Sequence, residues 1–293
     1  MRGKAIALFT AGMFVLASMA GAQTNPVPSD AANATGNRID LYFADWHASA
    51  PRMTNGSLEE REIFTPGDGV NPARKGAVLR FVNSYNYATL PPHTSTEAAR
   101  LNGQQEIYFV ASGRGTATAG GQSADLYRNV AVLMPANLEF AFKNTGDEPL
   151  TMYVVNEPTP PGFRPNSALL VRDENMLPIT SSDEFWTHIV KTIFVTSDGL
   201  ATLQAVLTVT LDPLTIARPH LHLVDYTDTE EVWSALNGSS LAFVGNQLRE
   251  QTPGMAFYHI PDNQTPHTNL NPSEDSQAKF FYFARYHPHE TRK

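Results

Sequence analysis

Apolar residues in this chain come in short stretches with a period of two or as brief continuous runs, and seldom with the 3.6-residue period of a helix. Such stretches span 77–82, 106–110, 130–134, 151–155, 200–211, 231–236, 240–244, 255–260 and 279–286, and they are rich in β-branched and aromatic residues. Alternation places every second side chain on one face, so each stretch predicts a strand. Turn formers separate them: Ser112-Gly113, Gly120-Gly121, Asn144-Thr145-Gly146, Asn237-Gly238 and Pro253-Gly254. Many short strands with frequent Gly and Pro turns predict an all-β sandwich or barrel. One short helix is expected over Ser182–Lys191, capped by Ser182 or Asp183.

The N-terminus reads differently. Arg2 and Lys4 precede an apolar run from Ala5 to Ala20, and Ala20-Gly21-Ala22 has small residues at both flanks of a cleavage point. This pattern predicts a secretory signal peptide, because the run is short for the roughly 20 residues of a membrane span. The expected product, cut after about Ala22, is secreted or periplasmic and makes no membrane contact. Residues 23–37 have the composition of a flexible leader.

An internal repeat emerges when the turns are aligned. Glu106, Gly113 and Gly120 recur as Glu231, Gly238 and Gly245, each 125 positions later. Pro92-His93 aligns with Pro219-His220, Pro135 with Pro261, and Asn144 with Asn271 at offsets of 126 or 127. The chain therefore reads as a duplicated β module. The implied division is a signal peptide (1–22), a leader and arm (23–55), a first module (56–157), a connector (158–190) and a second module (191–293).

Composition narrows the chemistry. The 293 residues contain no Cys, nine His, 29 acidic and 21 basic residues, for a net charge of −8. Absence of Cys excludes disulfides, thiolate metal sites and thiol nucleophiles. The acidic balance argues against nucleic acid as a partner, since phosphate-backbone binding uses a basic face. A small-molecule substrate is expected, and a homo-oligomer is compatible with the sequence.

The second module carries the ligands that remain. In Arg218-Pro219-His220-Leu221-His222, the two imidazoles fall on one face of a strand. Glu231 opens the next strand, and His267 follows a Pro-rich turn, with Asn271 four residues on. Three imidazoles and a carboxylate suit one divalent transition metal: Fe, Mn, Ni, Cu or Zn. Arg218 shares parity with His220 and is a candidate fork for a substrate carboxylate.

These residues resemble the cupin superfamily. Its first motif is Gly, five residues, His-x-His, three or four residues, Glu, six residues, Gly; its second places His and Asn after a Pro-x-Gly turn. His220, His222, Glu231 and Gly238 match the first motif, and Gly254, Pro261, His267 and Asn271 the second. The resemblance implies two antiparallel β-barrels of the jelly-roll or double-stranded β-helix type, a bicupin. It makes His220, His222, Glu231 and His267 the metal ligands. Three departures stand out: eight residues separate His222 from Glu231, which makes Glu230 a rival; one extra residue lies between Pro261 and His267; and Asn263 occupies the Gly position of the second motif.

The first module departs further. Its His-x-His position reads His93-Thr94-Ser95, Glu106 is kept, and Phe140 replaces the late His. His93 and Glu106 then form a vestigial site with too few ligands for tight binding, and this module is expected to be structural or a binding cavity. Three functions fit the intact set. The first is a dioxygenase-like oxidoreductase on a small chelating oxygenated or carboxylate substrate, with Glu231 and Arg218 in catalytic roles. The second is a metal-dependent isomerase, epimerase or lyase of a sugar or sugar acid. The third is a non-catalytic binding or storage protein.

Overall fold

The structure is a computed structural model that describes residues 38–180, 188–222 and 228–286. The signal peptide and the leader up to residue 37, most of the short helix at 182–191, and the His287-Pro-His289 triplet lie outside the described residues. The end of that expected helix is corrected. His188–Lys191 begin a strand, His188–Val195, which pairs antiparallel with Ala205–Leu211. Its Ile, Val, Thr and Phe residues are β-branched or aromatic and favour the pleated conformation.

The chain folds into two all-β barrels. Each consists of a large sheet facing a four-stranded sheet. In the first barrel the large sheet runs Leu170–Asp173, Val130–Met134, Gln104–Ser112, Leu150–Pro158, Ser84–Leu90, Leu58–Pro66 and Pro51–Thr54, with Ala77–Leu79 paired to the strand Leu58–Pro66. Its small sheet runs Ala99–Arg100, Glu139–Asn144, Arg114–Ala119 and Gln122–Tyr127. In the second barrel the large sheet contains Met255–Tyr258, Glu230–Asn237, Ala278–Arg285, Ala205–Leu211 and His188–Val195. Its small sheet runs Thr215–Ile216, His267–Asn271, Ser240–Val244 and Gln247–Gln251. The strand Phe43–Asp45, from the arm that precedes the first barrel, adds to the edge of the second barrel's large sheet, pairing Phe43 with Phe257.

Repeat landmarks occupy equivalent turns. Gly113 and Gly238 both have positive φ, and a Cβ on either would meet a carbonyl oxygen at 2.4 Å, that of Pro149 or Gln277. Only glycine fits a turn so close to another backbone. Asn144 and Asn271 are clamps. Asn144 Nδ2 donates to the carbonyls of Leu90 and Glu148, and Asn271 Nδ2 to those of Leu211, Asp212 and Ser276. The motif Asn thus satisfies loop carbonyls in both barrels. Asn137 and Asn263 also match, with φ of 69° and 61°. Asn tolerates the left-handed region better than other non-glycine residues, which accounts for Asn263 at a Gly position.

The two large sheets pack against each other through their outer faces. One apolar cluster runs across this junction and into the second barrel, while a second fills the first barrel. Phe109 stacks on Phe281 with ring centroids 5.0 Å apart, and Tyr85 packs edge-on against Phe283. Tyr85 also donates to Ser234 Oγ at 2.6 Å. The carboxylate of Glu157 accepts from the backbone N–H groups of Ala201, Thr202 and Leu203, joining the end of the first barrel to the entry of the second.

Candidate metal centre

Strand alternation separates Glu230 from Glu231. On Glu230–Asn237, Ser234 meets Tyr85 of the first barrel, so Glu230, Val232 and Ser234 face the junction. Glu230 is buried there and accepts from the backbone N–H groups of Arg80 and Phe81. Burial raises its pKa to about 7 despite those hydrogen bonds. Glu231 points the other way, into the second barrel, beside Trp233, whose indole N–H donates to it. The rivalry between the two carboxylates is resolved by the pleat.

Glu231 lies in a cluster with His220, His222 and His267, and one potential ligand atom from each lies within 4.8 Å of all the others. His267 comes from the start of strand His267–Asn271 and pairs through its backbone with His220. His267 Nε2 lies 3.0 Å from Glu231 Oε1, and His222 Nε2 lies 3.4 Å from Glu231 Oε2. His220 Nδ1 lies 3.0 Å from the Arg218 carbonyl oxygen, an acceptor that fixes the Nδ1–H tautomer and leaves Nε2 its lone pair. The cluster is buried apart from the partly exposed His220. The spacing between His222 and Glu231, longer than that of the usual motif, does not keep the two side chains apart.

Electrostatics suit a cation. Burial opposes the charge on Glu231, but His267 and His222 hold its pKa well below the ordinary carboxylate value. Burial lowers His267 to about 4, against the pull of Glu231. Neutral imidazoles and an ionised carboxylate are the forms that bind metal. Among the described residues, His267 Nδ1 is buried without a hydrogen-bond partner, which leaves part of the ring's polar capacity unused there.

A fourth imidazole stands beside the cluster. His259 is 1% exposed, and neither ring nitrogen has a hydrogen-bond partner among the described residues. Its ring centroid is 4.3 Å from those of both His222 and His267. Its backbone N–H donates to the Glu231 carbonyl, so it sits across the sheet from Glu231. Burial, with the neighbouring imidazoles, holds its pKa well below the ordinary value. Sequence reasoning had only the parity of His259 with Phe257 and no spacing motif to mark it. Arg218, by contrast, is exposed; its carbonyl reaches the cluster through His220.

The vestigial site expected in the first barrel is corrected. His93 and Glu106 are not brought together. His93 is exposed at a turn and pairs with Asp147 at 3.0 Å. Its φ of 57° matches the 56° of Leu214, so Pro92-His93 is equivalent to Pro213-Leu214 and not to Pro219-His220. Registers agree: Thr94 O accepts from Asn144 N, while Thr215 pairs with Asn271. Counting on from there, the positions of His220 and His222 are filled by Ala99 and Leu101. Phe140 pairs with Ala99 as His267 pairs with His220. Met134 lies opposite Glu106 as His259 lies opposite Glu231. Glu106 itself is held by Tyr108 and by Asn156 Nδ2 at 2.8 Å, and burial raises its pKa. A dipeptide match at a turn misled the alignment because the loop that follows differs in length.

Comparison with known proteins agrees with this architecture. Residues 86–156 match the cupin domain model. The fold resembles that of AerE from Microcystis aeruginosa, with 14% identity, a TM-score of 0.60 and coverage of 84% of this chain and 99% of that one. It also resembles a 7S globulin from Momordica charantia, at 11% identity and TM-score 0.62, covering 84% of each chain. A mutant of Bacillus subtilis oxalate decarboxylase shares 11% identity at TM-score 0.61, over 83% of this chain and 76% of that one. No curated protein sequence matches the chain. At these identities the likeness is one of fold, and the fold hosts enzymes and storage proteins alike.

Proposed function

We propose that this chain, built as two cupin barrels, holds one divalent transition-metal ion on His220, His222, Glu231 and His267. We read it as an exported, dioxygenase-like oxidoreductase acting on a small chelating substrate that is oxygenated or carries a carboxylate. The observation that carries the metal assignment is the convergence of three imidazoles and one carboxylate within 4.8 Å in the second barrel. When bound, such an ion supplies Lewis acidity and, if redox-active, electron exchange with oxygen. Four protein ligands leave room for substrate or oxygen.

The chain's own groups have separate tasks in this reading. Glu231 contributes the negative charge of the set and is oriented by Trp233. The Arg218 carbonyl fixes the tautomer of His220, and the exposed guanidinium stands two residues from that ligand to engage a substrate carboxylate. His259 adds a buried hydrogen-bonding ring beside His222 and His267. Export rests on the sequence pattern at Met1–Ala22.

Mass-spectrometric metal analysis of protein purified without a His tag tests the assignment. Fe, Mn, Ni or Cu is expected in a one-to-one ratio, with oxygen uptake on a panel of diketones, flavonols and small carboxylates. Zn with turnover that persists without oxygen would point to an isomerase or lyase. A bound ion with no turnover on any substrate would point to a binding protein. Protein without any metal would overturn the reading.

A further inference from the structure

The end of the first barrel that corresponds to the metal cluster is open space. A cavity of about 620 Å³ lies there, and its lining includes Ala99, Leu101, Glu106 and Phe140. These are the residues equivalent to His220, His222, Glu231 and His267. Three imidazoles have been replaced by one small and two apolar side chains, leaving a volume in the range of small-molecule sites. We propose that this cavity is a second, metal-independent binding site for a neutral, hydroxyl-rich molecule of mono- or disaccharide size.

The lining argues for that class. Leu101 and Phe140 are buried and give the site an apolar patch suited to the C–H face of a pyranose ring. Around it stand planar polar groups that both donate and accept, as a ring of hydroxyls requires. Glu60 accepts from Arg52 at 3.1 Å, from Thr54 at 2.8 Å and from Asn86 Nδ2 at 2.9 Å. Asn86 is 3% exposed, and its Oδ1 has no hydrogen-bond partner among the described residues. A buried amide oxygen left unpaired is unfavourable, and a hydroxyl donor would offset that cost.

Charge argues against the other classes. The cavity's guanidinium groups, from Arg52, Arg74 and Arg100, are matched in number by the carboxyls of Glu60, Glu62 and Glu106. The balance leaves no net positive field to select an anion. A metal ion is disfavoured as well, because no His lines the cavity among the described residues and Glu106 is already occupied by Tyr108 and Asn156.

Saturation-transfer NMR and calorimetry on the full chain in EDTA test the proposal. The probes are glucose, galactose, sucrose and trehalose, with gluconate and oxalate as charged controls. At least one neutral sugar is expected to bind in EDTA. Its affinity should fall tenfold or more in Glu60→Gln, which removes an acceptor, and in Ala99→Phe, which fills the space. Arg100→Ala, at an exposed wall position, keeps the test open if either of those variants fails to fold, and it should weaken binding as well. The proposal is overturned if none of the neutral sugars binds, if only gluconate or oxalate binds, or if sugar binding is lost on chelation or survives the substitutions in folded protein.

Discussion

Glu230 and Glu231 are adjacent in sequence and face opposite ways. The pleat sends one carboxylate to the backbone of the first barrel and the other to the imidazoles of the second. The same logic ranks the histidines. His220→Ala and His267→Ala are each expected to reduce bound metal to a small fraction, whereas His93→Ala should leave it unchanged; metal content of the purified variants checks this. His259→Phe should retain the ion, because His259 lies outside the four-residue ligand set. In Co²⁺-loaded protein it should weaken azide binding about tenfold, the loss of one buried hydrogen bond of ~1.4 kcal/mol. Loss of metal from His259→Phe would instead make that ring a ligand.

Glu106 gives a pH prediction at the same scale. Burial raises its pKa above 4.5 in the folded chain. Above pH 4.5 the folded state therefore keeps a proton that the unfolded state releases. Its contribution to stability is fullest below that pH and is lost as pH rises through the folded value. Glu106→Gln cannot release a proton, so its urea midpoint should match that of the parent near pH 4 and exceed it at pH 8. An identical decline in both proteins would assign the pH dependence to other groups.

Among the elements, the strand pairs were legible to different degrees. Val130–Met134 and Ser240–Val244 were readable in full, because each is a compact run of apolar or alternating residues between clear turns. Leu58–Pro66, Arg114–Ala119 and Gln122–Tyr127 were not, since their Glu, Arg, Thr, Gln and Asp residues face the barrel mouth or solvent and blur the alternation. The junction between the large sheets depends on outward-facing aromatics that alternation alone would assign to either side. Tyr85→Phe removes the hydrogen bond to Ser234 inside this junction. A loss of ~1–2 kcal/mol in chemical denaturation is expected, because the serine hydroxyl is left buried without its partner.

For the whole molecule, the apolar cluster shared by the two barrels predicts coupled unfolding. Calorimetry should show one transition, and Phe281→Ala, which empties the stack on Phe109, should lower the free energy of unfolding by the ~3–5 kcal/mol typical of a buried Phe truncation. Two resolved transitions would mean that the junction is too weak to couple the barrels. The strand Phe43–Asp45 reinforces the coupling, since it leads into the first barrel while pairing with the second.

The sequence by itself determined the all-β class, the duplication, the absence of Cys and the three histidines of the candidate metal cluster, with Glu231 and its rival Glu230 as the carboxylates on offer. Those features depend on period, composition and local spacing, which a linear chain displays directly. Tertiary structure decided the rest. It set the register that moved His93 out of the site and put Ala99 and Leu101 in the ligand positions, because loop lengths shift registers in ways a repeat offset hides. It brought His259 to the cluster and left the first barrel open at the equivalent place, because both depend on which side chains face one another across a closed barrel, and that is fixed only when the sheets close.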